Sequence, residues 1–223
     1  MSDRPRLAVT LGDVRGIGPE IVAAAAADAR VRAAAELRLV GPSLATVAVD
    51  ERIGDWNRGS ESDAGRLAGR AVDRAIELAQ NGDVDGIVTA PLDKHALLVG
   101  GYDFPGHTEL LAARTGRPVA MMLAATRPTA GMPNPLRVVL ATTHVPLRDV
   151  PRLVTRDAIL EAARVTRAAS RIASRVTSRG TSRSGTCVVA RTTRSGLGIP
   201  AAGRVAASII ATERPVRAAS SSV

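Results

Sequence analysis

The 223-residue chain predicts an α/β fold, a sheet packed between layers of helices. Three observations predict it. Short apolar runs at residues 7–10, 37–40, 86–89, 119–123 and 137–143 each lie beside Gly or Pro, as strands do. Between them lie segments whose Ala, Leu, Ile and Val recur at helical spacing. Hydrophobic residues make up 45% and charged residues 23%, a globular composition. Alanine fills 40 positions and only Trp56, Tyr102 and Phe104 are aromatic, so the core is expected to be built from Ala, Val, Leu and Ile.

Taken in order, residues 7–10 form a strand that ends in a turn rich in glycine, Gly12, Gly16 and Gly18. Pro19 and Glu20 then open an alanine-rich helix to about Arg30, since proline and an acid both suit a first turn. Residues 37–40 form a second strand, stopped by Gly41 and Pro42. The clearest helix covers 60–80, with Ala64, Leu67, Ala68, Ala71, Val72, Ala75, Ile76 and Ala79 on one face. Ser60 or Ser62 caps it, Glu61 and Asp63 sit in its first turn, and Asn81-Gly82 ends it. A buried strand at 86–89 follows. Asp93 caps a short helix that Gly100-Gly101 terminates, and residues 108–114 form another. Residues 119–123 and 137–143 read as two neighbouring strands joined by a Pro/Gly-rich connection, and 156–167 as an amphipathic helix.

The net charge of +9 comes from one end. Residues 1–150 carry 17 basic and 18 acidic side chains, whereas 151–223 carry 13 arginines and 3 acids. From Ser170 to Arg183 a Ser-Arg pair recurs every four residues, which stacks like charges on a helix. The chain therefore divides into an α/β region at 1–167 and an Arg/Ser/Ala-rich tail at 168–223, expected to be poorly ordered. An arginine-rich arm can fold on nucleic acid, but the tail offers no aromatic platform for bases, so nucleic acid is not the expected partner. No apolar run approaches a membrane span, no signal-peptide pattern opens the chain, and Cys187 is alone. A cytoplasmic protein without membrane or disulfides is expected.

In such folds chemistry gathers in loops after strand ends. Three segments lie there. Gly12-Asp13-Val14-Arg15-Gly16-Ile17-Gly18-Pro19-Glu20 reads as a tight strand-to-helix turn or a ligand loop; it is neither a P-loop nor a dinucleotide fingerprint. Gly106-His107-Thr108-Glu109 places an imidazole, a hydroxyl and free amides at a helix start, which suits an anionic or hydroxylated ligand or equally a simple cap. His144 ends an apolar strand, as a metal ligand, an acid/base or a backbone-bonded core residue. His95 reads as a surface residue.

In order, these pieces resemble the 4-hydroxythreonine-4-phosphate dehydrogenase family of vitamin B6 biosynthesis. The resemblance rests on Leu7-Ala8-Val9-Thr10-Leu11-Gly12-Asp13 with Gly16-Ile17-Gly18-Pro19-Glu20, and on Gly86-Ile87-Val88-Thr89-Ala90-Pro91-Leu92-Asp93-Lys94. It continues through Phe104-Pro105-Gly106-His107-Thr108-Glu109 and ends at Ala141-Thr142-Thr143-His144-Val145-Pro146-Leu147-Arg148-Asp149, covering about residues 5–165. It implies an incomplete three-layer α/β/α fold like isocitrate and isopropylmalate dehydrogenases, in a homodimer. It implies oxidation of 4-phosphooxy-threonine with decarboxylation, using NAD and a divalent metal (Zn, Mg, Mn or Co). His107 and Thr108 would contact the substrate, and His144 would be one of three metal histidines. A related diol-carboxylate dehydrogenase is the neighbouring reading.

The sequence departs from the family after His144. No histidine follows it and no Lys or Asn follows Asn134, so the family's two later metal histidines and its later substrate residues have no counterpart. A stretch between Val40 and Ser60 is also skipped. A tail of Arg, Ser, Ala, Thr and Val is what an off-frame reading of GC-rich DNA produces. The alternative reading is therefore a catalytically inactive, truncated or frameshifted remnant of the family.

Overall fold

The computed structural model describes residues 4–44, 46–116, 119–124, 137–142, 145–177, 188–191 and 208–211. Eight strands, β1 (Arg6–Thr10), β2 (Glu36–Ser43), β3 (Glu51–Asp55), β4 (Gly86–Thr89), β5 (Ala120–Ala124), β6 (Arg137–Leu140), β7 (Val188–Arg191) and β8 (Ser208–Ala211), form one sheet in the order β3-β2-β1-β4-β8-β7-β5-β6. The half built from β3, β2, β1 and β4 is parallel throughout. β8 runs antiparallel to β4 and to β7, while β5 pairs parallel with β7 and antiparallel with β6.

The parallel half explains its own composition. A parallel sheet is covered on both faces, so successive residues of one strand must enter different cores. Ala8, Val40, Ile53 and Ile87 face the core under α3 (Glu61–Asn81) and α5 (His107–Thr115). Val9, Leu11, Leu39 and Val88 face the other, against α1 (Gly18–Ala27). The expected α/β architecture with helices on both faces is what the chain adopts. Among the described residues no helix is long and apolar enough to cross a membrane.

α3 begins where the sequence places it. The Ser60 hydroxyl accepts from the Asp63 N–H at 3.1 Å, and the Asp63 carboxylate accepts from the Ser60 N–H at 3.0 Å, a reciprocal capping box. Gly82, at φ +75°, closes the helix in the left-handed conformation that favours glycine. Asp93 caps α4 (Lys94–Val99) by accepting from the Ala96 N–H at 2.8 Å. Glycines then let α4 come close: a side chain on Gly65 would collide with the Ala96 carbonyl, and one on Gly69 with the Tyr102 ring.

Four local expectations are corrected. The first helix stops at Ala27, because Asp28 turns extended and caps a separate α2 (Ala29–Ala34) by accepting from the Arg30 N–H. β2 runs through Gly41 and Pro42 instead of stopping there. Gly41 makes room for Leu11, whose side chain would lie 2.6 Å from an added Cβ, and the register with β3 slips beside Pro42. β3 itself was not anticipated, because Ile53 is its one buried apolar residue amid charge. The helix expected to end at 167 is α7 (Arg156–Thr177). Arginine repulsion at i,i+4 costs only a few tenths of a kcal/mol per pair, too little to end an alanine-rich helix with no Gly or Pro. A short α6 (Val150–Leu153) precedes it, and Val165 of α7 packs on Ala120 of β5.

Candidate functional site

The loops after β1 and β4 meet at the C-terminal edge of the parallel half. Asp13 N–H donates to the Pro91 carbonyl at 3.0 Å, tying the two loops together. Gly12 sits at φ +69°, and a side chain there would strike that same carbonyl. A side chain on Gly18 would strike the Leu11 carbonyl. These glycines are consumed by close backbone packing, which is the tight-turn reading of the segment.

Asp13 is buried, and its carboxylate is answered from within the turn. It accepts from the Arg15 backbone N–H at 2.8 Å and from Arg15 Nη2 at 2.9 Å. Arg15 Nη2 also reaches Glu61 Oε1 of α3 at 3.2 Å, and His95 Nδ1 of α4 lies 3.4 Å from Glu61 Oε2. The hydrogen bond Arg15 donates to Asp13 raises the Arg15 pKa further above its usual range. His95 is exposed as the sequence suggests, and folding adds Glu61 of α3 to the acid, Asp93, that already lies two residues before it. Asp93 is held below its ordinary carboxylate pKa, first by the Ala96 N–H and then by the His95 N–H and the charge of Arg15.

His107 and Thr108 open α5, both half-buried, with the His107 Nε2 atom buried. Gly106 is the residue before them and supplies no side-chain cap. A Cβ on Gly106 would lie 3.8 Å from Lys94 Cε and 3.5 Å from Glu109 Oε2. The stem of Lys94 thus runs beside the start of α5, and an exposed ammonium, first-turn amides, an imidazole and a hydroxyl share one corner. Sequence reasoning left Lys94 without a role, because no spacing rule links it to a helix start thirteen residues further on.

A second group behind this corner was also missed. Tyr102 donates its hydroxyl to Asp73 Oδ2 at 2.8 Å, and Arg114 Nε donates to Asp73 Oδ1 at 2.8 Å. The Arg114 guanidinium stands 5.9 Å from the ring centroids of both Tyr102 and Phe104. Burial, then the bond to Asp73, pushes the Tyr102 hydroxyl above its usual pKa. These partners lie 29 and 41 residues apart, beyond any local sequence signal.

His144, the expected metal ligand, lies outside the described residues. Among the described residues no group of three or more His, Cys, Asp or Glu side chains comes together to hold an ion. These residues do not fit a metal centre by themselves. The sequence names no residue for NAD, and none of the described geometry adds one.

The family described as "Pyridoxal phosphate biosynthetic protein PdxA" matches residues 17–179. A 4-hydroxythreonine-4-phosphate dehydrogenase of Geobacter metallireducens is 37% identical, over 73% of this chain and 56% of that protein. A D-threonate 4-phosphate dehydrogenase of Cupriavidus necator is 35% identical, over 69% and 54%. The crystal structure of a 4-hydroxythreonine-4-phosphate dehydrogenase from Burkholderia phymatum superposes with a TM-score of 0.59 at 28% identity, over 76% of this chain and 58% of that one. The chain spans about half the length of the curated relatives it matches.

Proposed function

The chain belongs to the family of the pyridoxal phosphate biosynthetic protein PdxA, and on that membership we propose that it serves the oxidation of 4-phosphooxy-threonine in vitamin B6 biosynthesis. NAD would supply the acceptor for the hydride leaving the hydroxyl-bearing carbon, and decarboxylation of the oxidised product belongs to the same proposal. A divalent metal, His144 as one of its ligands, a homodimer and a cytoplasmic setting are proposed on membership alone. The reading carries over to two described residues, His107 and Thr108, as substrate contacts.

One observation supports that assignment most. Lys94 runs beside Gly106, so a cation stands next to the uncapped first turn of α5. Helix N-termini favour anions through their free N–H groups and dipole, and an ammonium adds to that field. A phosphate there would leave the Thr108 hydroxyl and His107 imidazole to hydrogen-bond the hydroxyl-bearing part of a small substrate. Glu109 in the same turn opposes the anion, so Lys94 is needed to tip the balance.

Calorimetric titration with 4-phosphooxy-L-threonine tests the reading, with NADH absorbance followed in parallel. Binding is expected, with Lys94→Ala weakening it at least about tenfold, the worth of one charge-assisted hydrogen bond, and Thr108→Ala by about fivefold, that of a neutral one. No binding by folded protein would refute it. A second substrate deserves the same titration, because a relative named for D-threonate 4-phosphate is almost as similar as those named for the amino acid. Tighter binding of D-threonate 4-phosphate would favour the diol-carboxylate reading.

A further inference from the structure

Residues 101–106 join α4 to α5 and carry the chain up to His107. Backbone hydrogen bonds hold the first half of this stretch, from the Gly101 N–H to the Leu98 carbonyl and from the Tyr102 N–H to the Leu97 carbonyl, each at 3.0 Å. Gly101 lies at φ +94° with nothing within 4 Å of its would-be Cβ, and Gly106 offers no side-chain cap to α5. The stretch is anchored through its two aromatic residues, Tyr102 and Phe104, which pack on the core under α3.

Arg114 joins this stretch to its surroundings. It follows His107 by seven residues, which at 3.6 residues per turn returns it to nearly the same face of α5. Its guanidinium rests over both aromatic rings and its Nε binds Asp73 of α3, whose other oxygen takes the Tyr102 hydroxyl. One carboxylate of α3 therefore links α5, already seated by its buried Leu110 and Leu111, to the stretch before it. Both determine where the His107 imidazole points.

We infer that Asp73, Tyr102 and Arg114 are positioning residues that set the orientation of His107 and Thr108 toward a phosphorylated hydroxy acid, an inference that rests on the substrate-site reading above. They act by holding two elements at one angle, and misplacement of a binding group by a fraction of an ångström is enough to lose its hydrogen bond.

The test uses the full chain with isotope-labelled histidine. Its three imidazoles, His95, His107 and His144, are assigned by single His→Gln replacements. Tyr102→Phe removes one hydroxyl, and Asp73→Asn keeps the shape but removes the charge. Each is expected to move or broaden the His107 imidazole resonance, to leave that of His95 in place, and to weaken 4-phosphooxy-L-threonine binding about tenfold. Arg114→Lys, which keeps the charge without the fork, is expected to restore neither. An unchanged His107 resonance in folded Tyr102→Phe overturns the inference, even if Asp73→Asn fails to fold. A displacement of all three resonances together would mark a general loosening and overturn it too. If the unaltered chain binds no 4-phosphooxy-L-threonine, the substrate reading falls, while the His107 resonance still decides whether the three residues position it.

Discussion

Gly65 shows how a single residue is settled by packing. In isolation Ala is the better helix former by about 1 kcal/mol, so propensity favours Gly65→Ala in α3. The added methyl would strike the Ala96 carbonyl of α4, where backbone cannot yield. Overpacking wins, and the variant is expected to lose about 3 kcal/mol in urea unfolding. Gly16→Ala is the contrast: its nearest neighbour would be the Asp13 carbonyl at 3.5 Å, ordinary contact, so a change within about 0.5 kcal/mol is expected. Thr10 and Thr89 offer a different residue-scale outcome. They stand opposite each other in β1 and β4, fully buried, with hydroxyls that find no partner among the described residues. Isosteric Thr10→Val and Thr89→Val discard a desolvated hydroxyl and are expected to be neutral or stabilising by about 1 kcal/mol, read from the same unfolding curves. A loss in either would show that the hydroxyl is satisfied in solution.

At the scale of elements, α3 carries the clearest signal and a pH dependence. The Ser60 hydroxyl, the Ser60 N–H and Arg66 all hold the Asp63 carboxyl below its ordinary pKa. A group whose folded pKa is depressed contributes stability above its unfolded value and loses it as pH falls through the folded value. Asp28, the cap of α2, is lowered to about 2 by Arg30. Thermal melts are therefore expected to fall as pH drops below about 4, with part of the slope absent in Asp63→Asn. Ser60→Ala is expected to cost about 1 kcal/mol at neutral pH. The cap, periodicity and stop of α3 could all be read from consecutive residues, as could β4, α4 and the start of α5. β3 could not be read. Its Glu51 lies between Arg38 and Arg74, which lower its pKa against the opposing pull of burial, and those partners come from β2 and α3. An edge strand stabilised by distant charge leaves no local pattern.

At the scale of the whole molecule, the described residues leave a groove on one face of the sheet. Beside α1 and α2 an open apolar groove of about 570 Å³ is lined by Leu7, Val9, Val22, Leu37 and Val88 among others. An open concave site lined by aliphatic side chains suits an apolar dye. Native protein at neutral pH is expected to enhance ANS fluorescence, and Val88→Asp, placing charge in the groove, is expected to reduce it. A signal unchanged by that replacement would place the dye elsewhere.

The sequence by itself determined the α/β class and most elements of the first 116 residues, because helix periodicity, caps and turn residues act within a few positions of one another, and its contiguous motifs carried the resemblance to the family. It also singled out His107 and Thr108 at a helix start, since that pattern is contiguous. The tertiary structure alone decided that Lys94 comes beside Gly106, that Glu61 meets Arg15 and His95, and that Asp73 holds Tyr102 and Arg114. It also paired the short runs at 188–191 and 208–211 with the sheet formed by the front of the chain. Each of these depends on separated segments being brought together by burial of the two apolar faces. Hydrophobic burial is non-directional, so the pattern that drives it does not record which polar groups it will place in contact.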